Sequence, residues 1–435
     1  MSRTHDHDEG ISIEPKPASP KYAHAPPQQD AAQTQSEPRG STTAATNASQ
    51  RPEWLSIILT TLQDQWFLIG IGVVITIASQ VQVPQAHQQI KETVTIYLMV
   101  SIIFFFTGCT LDTRVLIENY SRWKVHVFVQ TQCFLMTSAL SFGVVSATAT
   151  NHNFMDPGLL VGLVFMGCVA TTMSSNVVMT RQAHGNQALT VVQTTLGNFI
   201  GVFISPALVV MFTSVDTWYN KVLPSNNGQF AAIYGRVLKQ LGLSIYLPMA
   251  VGQLTRYFFE PACKKVFFDW KVLKLGSLCM LVVIWQTYDS AFASGAFESV
   301  PGSNMIFMVF ICIGLFLVFF CVAFFSALLW LPRKDVVAVC YCVPAKGPAM
   351  GVPLSTTIFA GMNPVLRSKI QIPIVIFQGL QIACGSLLIA VFRKWLAAEE
   401  KRRVENGGSR TDVEMAPESH DLQVNHQSVD SKFKE

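Results

Sequence analysis

Two short polar stretches interrupt apolar runs at points where chemistry is conceivable. The first, Thr171-Thr172-Met173-Ser174-Ser175-Asn176, lies between Gly158 to Ala170 and Val177-Val178-Met179. The second, Pro344-Ala345-Lys346-Gly347-Pro348, lies between Val336 to Val343 and a run beginning at Ala349. Two prolines and a glycine within five residues cannot sit in an unbroken helix. Where a helix unwinds, its carbonyls are freed to coordinate a cation, while half-helix N-termini favour anions. Ser174, Ser175 and Asn176 add hard oxygen donors suited to a sodium-like ion. In the next apolar run Gln193, Thr194, Thr195 and Asn198 fall on neighbouring turns and join the candidate ion or substrate ligands. Gln130 and Gln132 are candidates from an earlier run. Taken singly, the Gln, Thr and Asn side chains of those two runs more often make hydrogen bonds between helices, and the competing reading of the paired interruptions is two ordinary proline kinks.

Lys346 carries the sharpest question. A lysine near the bilayer centre is expensive unless paired, hydrated or neutral, and by default it marks function. Its ammonium can stand where a coupling cation would bind, carry a proton, or hold an anionic substrate. The plainer role is to brace the unwound segment through carbonyls. Asp289 is the nearest acidic residue by depth. Nothing else suggests a metal or cofactor: Cys340 and Cys342 lack zinc-like partners, and a solvated tip explains His5, Asp6, His7 and Asp8 better than metal binding. No HExxH or activated-nucleophile pattern points to an enzyme.

The surroundings of these stretches are those of a membrane protein. The chain of 435 residues is 50% hydrophobic and 13% charged, against about 25% charged in soluble domains. A net charge of +4 without basic-aromatic interleaving excludes a nucleic-acid partner. Apolar runs give about ten spans: Trp66 to Val83, Thr93 to Leu111, Trp123 to Thr148, Gly158 to Arg181, Ala188 to Phe212, Val237 to Tyr257, Val272 to Ala293, Ser303 to Leu331, Val336 to Phe359, and Ile370 to Leu396. The second, seventh and eighth are the clearest. Segments 1–51 and 402–435 are too polar to fold alone and read as disordered tails.

Lys and Arg cluster on one set of loops, as at Arg256 to Lys274 and after Arg393, which places both termini in the cytoplasm. The sequons at Asn47 and Asn119 then face the cytoplasm and stay unglycosylated. CVATTMSSNVVMT from Cys168 and CVPAKGPAMGVPL from Cys342 share their opening and lie 174 positions apart. Five spans per repeat require the second half to be inverted. The expectation is therefore an all-α polytopic membrane protein, with inverted five-helix repeats at 66–213 and 237–396 whose fourth and ninth helices are broken and cross.

FFFTGCTLD at Phe104 to Asp112, Ser175-Asn176 followed by QALTVVQTTL, and LPMAVGQLTR from Leu247 resemble the bile acid:sodium symporter family over about Trp66 to Leu396. Lys346 before Gly351-Val352-Pro353-Leu354 resembles the branch holding the fungal regulators of calcium homeostasis and their animal relatives. The resemblance assigns Ser175 and Asn176 to fourth-helix sodium ligands and Thr194 and Thr195 to the fifth-helix ligand region, with Gln130 or Gln132 as an approximate third-helix match. Transporting members carry Glu and Gln near the ninth-helix crossover, where this chain has PAKGPAMG, which implies lost sodium coupling. The implied function is negative regulation of calcium influx from the plasma membrane, with a secretory-pathway membrane as the other location. Membrane lipid, an unknown small solute or ion, and calcium-channel components are the implied partners. The alternative is a sodium-independent or proton-coupled organic-anion transporter.

Overall fold

In a computed structural model, the described residues are 66–111, 121–152, 154–223, 230–269 and 272–405. The tail at 1–51, residues 406–435, and Asn47 and Asn119 of the sequons lie outside them. Every regular element among the described residues is helical. The helices are α1 (Trp66–Gln80), α2 (Gln85–Thr110), α3 (Trp123–Thr148), α4 (Pro157–Cys168), α5 (Ser174–Gln182), α6 (Gln187–Thr213), α7 (230–258), α8 (Leu273–Ala293), α9 (Gly302–Leu328), α10 (Arg333–Cys342), α11 (Pro348–Ile358) and α12 (Pro364–Glu405). Among the described residues, five segments are long and apolar enough to cross a membrane: α2, α3, α6, α9 and Pro364–Arg402 of α12.

Local chemistry sets the helix ends. Asp156 caps α4 by accepting from Gly158 N at 2.8 Å, with Pro157 in the first turn. Asn186 caps α6 by accepting from Leu189 N at 3.0 Å. Both caps satisfy an otherwise orphan helix-start donor. Pro348 opens α11, where its missing N–H costs nothing.

Several boundaries differ from the hydropathy reading. The first span is shorter, because the chain leaves the helix after Gln80 and runs extended to Pro84. Gln85 then starts α2, so the polar stretch after the first span belongs partly to the second. The seventh, α8, is a 21-residue helix yet is not among the five apolar segments. Gln286, Thr287 and Asp289 dilute its carboxyl end. The last helix continues to Glu405, so residues 402–405, expected in the disordered tail, extend it instead.

The broken elements hold the centre. Residues 158–172 and 335–357 are buried without exception, whereas α9 leaves Ile306, Phe310, Leu317 and Phe325 exposed on one side. A helix apolar all round is a central helix, and that is how α4 behaves. At the edge of this centre α2 and α7 cross at two glycines. A Cβ on Gly108 would lie 2.3 Å from Met249 O, and one on Gly252 would lie 2.3 Å from Phe105 O. Backbones this close require small residues. Gly252→Leu should therefore lower the thermal midpoint of the detergent-purified protein, at an overpacking cost of about 1–3 kcal/mol; an unchanged midpoint would refute this crossing.

Candidate functional site

The helix pairs α4/α5 and α10/α11 are each split by a short non-helical stretch, residues 169–173 and 343–347. The two stretches lie against each other. Gly347 N donates to Ala170 O at 2.9 Å, and the Thr171 hydroxyl donates to Cys342 O at 2.7 Å. Each break thus supplies a partner the other has lost, which lipid cannot do.

Lys346 completes the junction. Its side chain is fully buried, and Nζ donates to Cys133 O at 2.7 Å, Thr137 Oγ1 at 2.8 Å and Val169 O at 3.0 Å. An ammonium has three protons, and here each finds an uncharged oxygen. Val169 follows the last turn of α4, so its carbonyl points out of the helix. Cys133 lies in a widened, π-type turn of α3 at Gln132–Met136, a local irregularity common at functional sites. The backbone of Lys346 is held from the other side by one carboxamide: Lys346 N donates to Gln381 Oε1 at 2.7 Å, and Gln381 Nε2 donates to Lys346 O at 3.0 Å.

Asp289 does not meet this lysine. Its carboxylate pairs with Lys91 and also accepts from Val83 N at 2.9 Å and Gln88 Nε2 at 3.0 Å. Lys91, at the start of α2, packs directly on the end of α8 and takes this carboxylate.

The polar residues of the first break are largely engaged with one another. Asn176 donates to Thr171 Oγ1 at 2.8 Å and Thr172 O at 2.9 Å, and its Oδ1 accepts from the Thr172 hydroxyl at 2.9 Å. Asn198 Nδ2 donates to Thr171 O at 2.9 Å and Thr194 O at 2.8 Å, which ties α6 to the break. The Ser175 hydroxyl lies 3.0 Å from that of Thr172, and Ser174 is exposed. A cavity of about 180 Å³ opens here, lined by Thr171, Thr172, Ser174, Ser175, Asn198 and Gly347, with Gln378 from α12 and Trp66 and Phe67 from α1.

Ser174, Ser175, Asn176, Asn198 and the Lys346 backbone therefore come together. Gln193 sits one layer away: Gln130 Nε2 donates to its carboxamide oxygen at 2.9 Å, and its Nε2 lies 2.7 Å from His126 Nδ1. The Thr194 hydroxyl turns back to Thr190 O at 2.9 Å, and Thr195 is buried beside it on α6. Gln132 is not part of the group. It donates to Ser326 Oγ at 2.6 Å on α9, facing away from α6.

Sequence reasoning passed over Thr137, Gln378 and Gln381. Gln371, Gln378 and Gln381 recur at intervals of seven and three, which marks one face of α12, and all three are buried. A polar stripe inside an apolar helix was the available signal.

The geometry defines a class: an all-helical membrane protein in which two helix pairs are interrupted and joined to each other at the breaks. The model of the SBF-like CPA transporter family matches residues 65–394, and the chain belongs to that family. It is 35% identical over 389 residues to solute carrier RCH1 of Candida albicans, covering 81% of this chain and 94% of that one. Solute carrier RCH1 of Saccharomyces cerevisiae is 29% identical over 381 residues, covering 80% and 87%. Sodium/bile acid cotransporter 7-B of Xenopus laevis is 28% identical over 358 residues, covering 79% and 96%. The family is one of transporters, and the symporter resemblance read from the motifs is the relationship found.

Because Gln381 answers both backbone groups of Lys346, Gln381→Leu leaves a buried donor and acceptor unsatisfied, at about 1–3 kcal/mol each. The thermal midpoint of the purified protein should fall by several degrees. A midpoint equal to wild type would mean the clamp contributes nothing.

Proposed function

We propose that this chain is a solute-carrier-like membrane protein that restrains calcium influx and so sets cytosolic calcium, working without sodium coupling. The observation that carries the reading is the ammonium of Lys346, set among two carbonyls and a hydroxyl. Such neutral oxygens are what a sodium ion would use. A second unit cation about 4 Å away would be opposed by about 4 kcal/mol at the effective dielectric of a protein edge. The internal bonding of Asn176 and Thr172 supports the same reading, because these oxygens already have donors. The calcium role itself comes from the resemblance to the fungal regulators, and calcium-channel components are the partners it suggests.

In the architecture we propose, the chain makes ten spans in inverted repeats at 66–213 and 237–396, with both termini cytoplasmic and the plasma membrane as its compartment. The equivalent positions of the two breaks support the repeat. The bonds of Asn176 and Asn198 at the first break support these two with Ser174 and Ser175 as a remnant cation-binding shell, to which Gln193, Thr194 and Thr195 would form an outer layer.

Deletion of the gene should raise calcium uptake in intact cells, and the wild-type chain should restore it. Lys346→Ala, confirmed at the membrane, should restore it poorly. Uptake no higher than wild type in the deletion strain would end the calcium reading. The second reading, proton-coupled organic-anion transport through Lys346, is favoured by the same carboxylate-free lysine. It requires purified protein in vesicles to accumulate an anion under an imposed proton gradient, with loss in Lys346→Ala.

In the same vesicles sodium should change neither the thermal midpoint nor any flux of wild type, whereas Lys346→Glu should gain a sodium-dependent midpoint. Sodium stabilisation of the wild-type protein would contradict the internal-cation idea.

A further inference from the structure

A second cavity, of about 510 Å³, lies far from the crossover. Its place is fixed by the helices it shares with the first. On α8 the crossover cavity reaches Gly276 to Met280, whereas this one is lined by Ser290, Ala293 and Ser294. Ten residues separate Met280 from Ser290, which is about 15 Å along the axis. On α12 the order agrees, with Arg367 and Ser368 at this cavity and Gln378 at the other. The two cavities therefore open at opposite ends of the same helices. Its volume falls within the range of about 300–1,000 Å³ typical of small-molecule sites.

The lining is polar but carries no net charge. Glu92 of α2 accepts from Arg367 of α12 at 2.9 Å, and the rest of the wall is mainly amides and hydroxyls such as Gln85, Gln89, Gln240 and Thr356. The neighbouring pair, Lys91 with Asp289, is sealed: the Asp289 carboxylate has no exposure and two further donors. Glu92 and Arg367 keep 16% and 26% of their side-chain surface. Both side chains therefore keep a face on the cavity, where a solute can reach them. Below them Gln371 donates to Ser355 Oγ at 2.9 Å, and Gln378 and Gln381 continue the same face of α12 toward the crossover.

We propose that this vestibule binds a small zwitterionic solute, with Arg367 taking its carboxylate and Glu92 its ammonium. A divalent cation would find one carboxylate already engaged by arginine, and a simple anion would have to displace Glu92 with no partner to give it. A zwitterion answers both groups at once. The proposal rests on the carrier reading only in treating the vestibule as one end of a path to the crossover.

The test is binding rather than flux, so it fails or succeeds independently of any calcium phenotype. Full-length protein in lipid nanodiscs is titrated with L-alanine and L-glutamine, and with acetate, ethylamine and glycerol as single-charge and neutral controls, reading the thermal midpoint. Zwitterions should raise the midpoint and the controls should not. Glu92→Gln and Arg367→Gln should each weaken binding by roughly tenfold or more, while Glu92→Arg combined with Arg367→Glu should regain much of it. Should either single variant fail to fold, Ser294→Trp, which fills the vestibule from α8, should abolish the shift. No zwitterion-specific shift in wild type, or a shift that survives Ser294→Trp, would overturn the assignment.

Discussion

A backbone that leaves its helix inside a membrane must find new hydrogen-bond partners within the protein, and this constraint organises the centre of the molecule. The chain breaks twice in segments that are almost wholly buried, and the breaks meet open space only at the cavity beside Thr171, Thr172 and Gly347. The solution is mutual: Gly347 bonds to Ala170, Thr171 to Cys342, and Lys346 sends three protons into carbonyl and hydroxyl oxygens left open by α3 and α4. Gln381 closes the remaining side. A lysine is well suited to this work because its flexible stem lets one terminus reach three acceptors that no backbone group could reach together.

The same bonding bears on what the site can hold. A cation site needs oxygens with lone pairs directed inward and no positive charge among them. Here Asn176, Thr172 and Thr171 form a closed ring of donors and acceptors, and the carbonyl of Val169 already faces an ammonium. The cavity beside the junction is walled by Ser174, Ser175 and Asn198 rather than by the lysine head. The charged and hollow parts of the site are thus on different sides of the crossing strands.

Much of this was legible in the sequence, and the misses have physical causes. The breaks at Thr171–Asn176 and Pro344–Pro348 are visible because prolines and polar runs cannot be hidden in apolar helices. Lys346 stands out for the same reason, and its three bonds suit both a brace through carbonyls and an ammonium standing in a cation's place. Its partners were not legible, since Cys133 O and Val169 O are backbone atoms and any residue type presents them. The partner of Asp289 was not legible, because depth along a helix says nothing about which neighbour faces it; it is Lys91. Gln132 and Gln130 are two residues apart, so they point in different directions around α3. The weak hydropathy of α8 and the polar stripe on α12 required knowing which helix faces carry buried amides.

The crossing of the two breaks also has a mechanical meaning. Because Gly347 is bonded to Ala170 and Lys346 to Val169, the ends of α4 and α10 cannot separate without leaving buried polar atoms bare, and they behave as a riveted joint. Any displacement that exposes one cavity and closes the other must carry both breaks as a single piece. The compliance of the molecule then lies at its seams, where α1, α2, α7 and α8 meet the riveted unit through side chains alone.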